Sequence, residues 1–201
     1  MKRAVALFDF DNTIVQGDSV KRLLQYDIKK HPLHSLRLIK TGFYYIGYLC
    51  HLCSFEKAKE TLLYPLTMMS EKEIEKFFQD HVQIYYYPQV VEEMKKRYEE
   101  GCFVILCTAS VETYMKYHHL PLHALLGTKM ENGHIIGRNC KNEEKVNRIL
   151  ECLHQHHIEI DYDDSYGYSD SDDDIPMLSL VKNKKRVLLK SGEIVEFIKK
   201  Q

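Results

Sequence analysis

The 201 residues carry a net charge of −1, with 28 Lys and Arg against 29 Asp and Glu, and 44% of them are hydrophobic, which suits one domain with a substantial core, or a core carrying a small insertion. The cations are spread along the chain and form no polyanion-binding tract, so nucleic acid is excluded as a partner class. Six cysteines in a chain this long, which opens without a signal segment, point to reduced thiols in the cytoplasm and exclude a disulfide scaffold.

The first apolar run, from Ala4 to Phe8, closes on Asp9 and Asp11. Such a run reads as a buried strand of a parallel sheet leading into a functional loop, and ligands of open α/β sheets sit at the carboxyl ends of the strands. Residues i and i+2 of an extended strand point the same way, so Asp9 and Asp11 face one pocket unless a turn at Asn12 re-aims the second. Like charges about 4 Å apart repel by about 4 kcal/mol at an effective dielectric of about 20. A close pair therefore calls for a proton or a hard divalent cation.

The next convincing buried strand, 102–107, comes almost ninety residues later. A crossover between parallel strands needs only a dozen or so residues, so most of the gap is an inserted subdomain, and its pattern is helical. Residues 19–31 carry Val20, Leu23, Leu24 and Ile28 at helical spacing, and Pro32 ends the segment. A second helix over 34–53 is apolar nearly all round, with Arg37 and Lys40 as its charges. Its fifteen uncharged residues from Thr41 to Phe55 fall short of the roughly 18 to 20 that span a bilayer. It reads as a buried helix, the alternative being a surface for a lipid or other greasy substrate. Helices follow at 55–64 and 71–84, the latter opened by a capping box of Ser70 and Glu73. Pro88 starts a helix that stops at Gly101. This divides the chain into a core of 1–14 plus 88–201 and a cap of 15–87. Cys50 and Cys53 form a C-x-x-C inside the helical stretch, without a βαβ context or a second pair, so neither a redox nor a zinc site is expected. The His118, His119, His123 and His154, His156, His157 groups lack metal-ligand spacing and read as solvated helix ends.

Strand 102–107 delivers Thr108, Ala109 and Ser110 to its carboxyl end, where a following helix would start and its N–H groups and hydroxyls would form an anion site. Residues 124–138 place Asn132-Gly133 between two short apolar runs, a hairpin signature. Asn142 caps a helix that buries Val146, Ile149, Leu150 and Leu153. Lys145 falls in its first turn, opposing the helix dipole, which a bound anion would reverse; a solvated lysine is the alternative. Seven aspartates crowd residues 161–174. As a calcium loop they fail, because Ile175 stands where Gly is required and Val181 where Glu is. A strand at 165–169 ending in Asp170, a helix from 172, a last strand Arg186 to Leu189 and a closing helix 191–200 complete an α/β sheet with a helical insertion.

Asp9-Phe-Asp11-Asn-Thr13, then Thr108 with Ser110, then Lys145, then Tyr168-Ser-Asp170-Ser-Asp-Asp173-Asp174-Ile-Pro-Met-Leu follow one another in the order of a known family. Over essentially its whole length the chain resembles the haloacid dehalogenase superfamily, in its phosphoserine-phosphatase-like subfamily IB. The resemblance implies a Rossmann-like parallel sheet with helices on both faces and an inserted helical cap of the C1 type. It further implies a phosphatase in which Asp9 is the nucleophile that becomes an aspartyl-phosphate and Asp11 the general acid and base. Mg2+ would be held by the Asp9 carboxylate, the Asp11 backbone carbonyl and Asp170. Thr108, Ala109 and Lys145 would bind phosphate, with Asp173 and Asp174 behind them.

Two departures bear on the substrate. Asp18 stands where the serine enzymes carry a longer Glu for the substrate amine. Their substrate-carboxylate arginine falls at Leu62, and no Arg occurs from 38 to 96; Lys57 or Lys59 would be a poor exchange. A phosphorylated small metabolite or a lipid-like phosphate is therefore the expected substrate, with peripheral membrane contact left open. Transfer of the phosphoryl group to an alcohol, phosphoserine hydrolysis and a phospho-Asp9 switch are the alternatives.

Overall fold

A computed structural model describes residues 1–198. In chain order β1 (Lys2–Arg3) and β2 (Val5–Phe8) precede four helices, α1 (Ser19–Lys30), α2 (Arg37–Leu49), α3 (Phe55–Leu62) and α4 (Glu71–His81). Then follow α5 (Pro88–Glu99), β3 (Phe103–Val111), α6 (Glu112–Met115), β4 (Ala124–Thr128), a hairpin of β5 (Met130–Glu131) and β6 (His134–Ile135), and α7 (Glu143–Gln155). The chain continues through β7 (Glu159–Ile160), β8 (Tyr166–Ser169), α8 (Ile175–Leu178), β9 (Asn183–Val187) and β10 (Ile194–Glu196).

Six strands form one sheet in the order β10-β9-β8-β2-β3-β4. All neighbours are parallel except β10, which returns antiparallel along β9. β2, whose four residues are all buried, lies in the middle because a strand covered on both faces needs the uninterrupted apolar run that Val5 to Phe8 supplies. One apolar cluster continues from Phe8, Phe10 and Tyr168 into Leu23, Leu63, Phe77 and Phe78 of the inserted helices. The other joins Leu7 and Ile105 to Ile149 and Leu153 of α7 and to α8. The insertion and the sheet thus share a core.

Several expectations are corrected. The first strand after the insertion does not yield to a helix at Thr108; it runs on to Val111, with a register shift against β4 between Cys107 and Val111. Ala124–Thr128 joins the main sheet instead of the hairpin, which shrinks to a turn about Asn132-Gly133, both with positive φ. The last parallel strand is Asn183–Val187, not Arg186 to Leu189. The closing helix is absent over 194–196: Lys190 (φ 71°) and Gly192 (φ 70°) take the left-handed conformation and fold the chain back as β10. The turn overrides the helix expected over 191–198; residues 199–200 of that expectation lie outside the described residues. Asn142 does not cap α7 with its side chain. α2 is not the buried helix expected: none of its residues falls in the core, and Thr41, Gly47 and Tyr48 are only half-buried. By contrast the Ser70–Glu73 capping box forms in both directions.

Candidate active site

β2 runs directly into Asp9, whose N–H donates to the Tyr168 carbonyl of β8 at 3.0 Å. The carboxylate therefore emerges at the carboxyl edge of the two central strands, and its Oδ1 accepts from Lys145 Nζ at 2.6 Å. Asn12 (φ 60°) and Gly17 (φ 85°) then reverse the chain, with the Asn12 side chain accepting from the Gly17 N–H at 3.1 Å. Asp11 is anchored by a different set of donors, the Ser19 N–H at 2.7 Å and the Ser110 hydroxyl at 2.6 Å. Both carboxylates nevertheless line one cavity of about 540 Å³, together with Asp18, Thr108, Ala109, Lys145, Asp170, Asp173 and Asp174.

Each expected residue has a definite place there. Thr108 and Ser110 sit in the irregular part of β3, the Thr108 hydroxyl accepting from the Ser110 N–H at 3.0 Å; a bulge beside a pocket re-aims side chains in this way. Lys145 is no solvated lysine: it is 2% exposed and bridges Asp9 to Asp174, whose Oδ1 lies 2.7 Å from its Nζ. Asp174 is fixed in turn by the Ser169 hydroxyl at 2.7 Å. Asp173 faces outward and pairs with Lys141 at 3.0 Å. Asp18 accepts from the Lys21 N–H at 2.8 Å as the N-cap of α1.

Burial pushes the Asp9 carboxyl up to about 7 despite the opposing pull of Lys145, and that of Asp11 up to about 6 despite the Ser110 hydrogen bond. Asp170 is raised too, by burial and then by Asp174. Burial by itself would lower Lys145, but Asp9 and Asp174 outweigh it and hold the ammonium charged. The Thr13 hydroxyl sits 3.3 Å from Asp9 Oδ2 and 3.4 Å from Asp170 Oδ1, so these two oxygens converge. Among the described residues no Lys, Arg or His pairs with the Asp170 carboxylate. A buried and a half-buried carboxylate aimed at one point, with oxygen donors only, suit a hard divalent cation. No three His, Cys, Asp or Glu side chains among the described residues converge on a metal position; a backbone carbonyl such as that of Asp11, with water or substrate oxygens, would complete the shell.

Sequence reasoning missed a buried hydroxyl chain: Tyr114 OH lies 2.8 Å from Ser19 Oγ, which lies 2.9 Å from Ser110 Oγ, the donor to Asp11. It also missed Arg186, which donates to the Asp170 carbonyl at 2.6 Å. Isolated Ser, Tyr and Arg residues carry no spacing signal, so only the fold assembles them. Lys59 of α3 is buried and donates to the Ala109 carbonyl at 2.5 Å and to Asn139 Oδ1 at 2.6 Å. Burial lowers its ammonium to about 8, against the attraction of Asp11. Lys59→Met should cost about 1–3 kcal/mol of stability and lower kcat/KM roughly tenfold through a displaced Ala109. Thermal unfolding and steady-state kinetics check this; wild-type values of both would make the contacts incidental.

The family model for haloacid dehalogenase-like hydrolase matches residues 6–179. A histidinol-phosphatase of Neisseria meningitidis serogroup C (strain 8013) is 25% identical over 192 residues, 88% of this chain and 86% of that one. A solved protein of unknown function from Bordetella pertussis Tohama I superposes with a TM-score of 0.76 at 24% identity, covering 92% of this chain and 89% of the other. A phospho-aspartyl intermediate analogue of phosphoserine phosphatase superposes with a TM-score of 0.59 at 16% identity, covering 92% and 86%. With the match spanning every motif from Asp9 to Asp174, the chain belongs to the haloacid dehalogenase-like hydrolases and has the fold of their phosphatases.

Proposed function

We propose that this hydrolase is a Mg2+-dependent phosphomonoesterase that works through an aspartyl-phosphate on Asp9, with residues 15–87 as the cap that selects the substrate. The observation that carries the reading is the buried Asp9 carboxylate at the end of the central strand, held by Lys145 at 2.6 Å and sharing a cavity with Asp11. An Asp9 oxygen attacks phosphorus and the bond to the leaving alcohol breaks, while Asp11 gives that alcohol its proton. Water then attacks the acyl phosphate, Asp11 takes the water's proton, and inorganic phosphate leaves with the Asp9 carboxylate restored. An Asp11 carboxyl pushed up to about 6 is suited to both transfers near neutrality. Lys145 and Thr108 hold the phosphoryl oxygens, and Asp174 aims Lys145. Asp9, Asp170 and the Asp11 carbonyl would hold Mg2+, which would neutralise phosphoryl charge when bound.

Leu62 lines the cavity where the serine enzymes present an arginine, and Lys59 is occupied by Ala109 and Asn139. That disfavours phosphoserine and favours a phosphate without a free carboxylate, small or lipid-like. Phosphate release should be measured from histidinol phosphate, phosphoserine, sugar phosphates, phosphocholine and lysophosphatidate. EDTA is expected to lower the best rate at least about a hundredfold, with recovery on adding Mg2+. A rate indifferent to EDTA would refute the metal assignment.

A further inference from the structure

The exposed side of α2 has no role in the chemistry above. Thr41, Tyr44 and Tyr48 face α3: the Thr41 hydroxyl donates to the Thr61 carbonyl at 3.1 Å, and Tyr48 meets the Phe55 ring edge-on at 5.5 Å. At 100° per residue the opposite side of the helix carries Ile39, Phe43, Ile46 and Leu49. Phe43 is 70% exposed and Ile39, Ile46 and Leu49 each more than half. Leu36 and Leu52 extend the stripe at its two ends, at 63% and 83%.

The segment that carries this stripe has charges of one sign. From Ile28 to Phe55 there is no Asp or Glu, while Lys29, Lys30, Arg37 and Lys40 are present. On the flank of α2 a second cavity of about 260 Å³ is lined by Arg37, Lys40 and Lys57. Its carboxylate, Glu60, is already engaged by Lys57 at 3.4 Å, His134 at 3.3 Å and the Ile135 N–H at 2.9 Å. An apolar stripe on a segment whose own charges are all cationic is the pattern of a helix that lies in a membrane interface, and cations near the surface favour anionic headgroups. Among the described residues no helix is long and apolar enough to cross the bilayer.

We propose that the outer face of α2 docks on an anionic lipid surface, with Phe43 and Ile46 inserted among the acyl chains, Lys40 at the edge of the stripe meeting headgroup phosphates, and Arg37 adding to the positive field from the side of the helix nearer α3. A second copy of the chain is the weaker occupant, because it offers no acidic side chain from the same segment to meet Arg37 and Lys40.

The test is flotation of the full chain with vesicles of phosphatidylcholine, alone or mixed with phosphatidylglycerol, alongside sedimentation velocity and hydrolysis of p-nitrophenyl phosphate. Binding to the mixed vesicles is expected to fall at least about tenfold in Phe43→Ser/Ile46→Ser, and about fivefold per cation in Arg37→Gln/Lys40→Gln. These variants should hydrolyse the soluble ester like wild type, since none of the four residues lines the catalytic cavity. Absence of vesicle binding, binding equal in the variants, or a wild-type dimer that Phe43→Ser/Ile46→Ser dissociates would overturn the proposal. Vesicle binding requires no turnover, so failure of the phosphatase reading would leave this result readable.

Discussion

Asp9→Asn is expected to lower phosphate release from the best substrate by at least about a thousandfold while leaving the fold intact. The substitution keeps the shape of the side chain and replaces the attacking oxygen pair by an amide, which cannot form the acyl phosphate. The backbone bond from residue 9 to Tyr168 does not depend on the side chain, so β2 stays in register. The loss is larger than any other single substitution should produce, because the covalent step has no substitute in the cavity: Asp11 is held by Ser19 and Ser110, and Asp170 follows a different strand. Rapid-quench labelling should trap phosphate on wild type and none on the variant. Activity near the wild-type level would refute the nucleophile, and with it the two-step mechanism.

Lys145→Met is expected to damage both stability and catalysis. Among the described residues Lys145 is the one cation that pairs with both Asp9 and Asp174, at 2.6 and 2.7 Å, and it is buried. Removing one member of such a cluster leaves carboxylates uncompensated in a low dielectric, which costs about 3–5 kcal/mol. For a chain of this size that corresponds to a melting temperature lower by on the order of 10 °C. The double variant Lys145→Met/Asp174→Asn should recover part of that loss, because one of the orphaned charges goes with it. Calorimetry of these two variants and of Asp174→Asn completes the cycle and measures the coupling; a simple sum of single effects would mean that Lys145 does not bridge the pair in solution. Turnover should fall in both, since neither retains the ammonium proposed to hold the phosphoryl oxygens.

The order of the motifs was legible because each occupies a local pattern with a local cause. An apolar run ending in Asp9, another ending in Thr108, and a third ending in Asp170 are strands whose carboxyl ends must meet once they lie parallel. Lys145 was legible as an anomaly, a cation where the helix dipole disfavours one, and the structure explains it by two buried carboxylates. The helices of the insertion were legible from their apolar spacing and from Ser70, Pro32 and Pro88. What failed was the final segment, where spacing suited a helix but a left-handed turn at Lys190 and Gly192 allowed the chain to pair with β9. The strand from Phe103 also ran past its expected end, because β4 was available to pair with it.

The sequence by itself therefore determined the strand-borne site: which residues end the central strands, in what order, and with what charge. Those properties depend on contacts near in the chain or on patterns that any parallel sheet imposes. Only the tertiary structure decided that Lys59 and Asn139 meet Ala109, that Tyr114, Ser19 and Ser110 chain to Asp11, and that the apolar side of α2 faces outward. Each depends on which face of an element meets a neighbour far away in sequence. Hydrophobicity measures the tendency to leave water, and it does not say whether protein or something else will receive the helix.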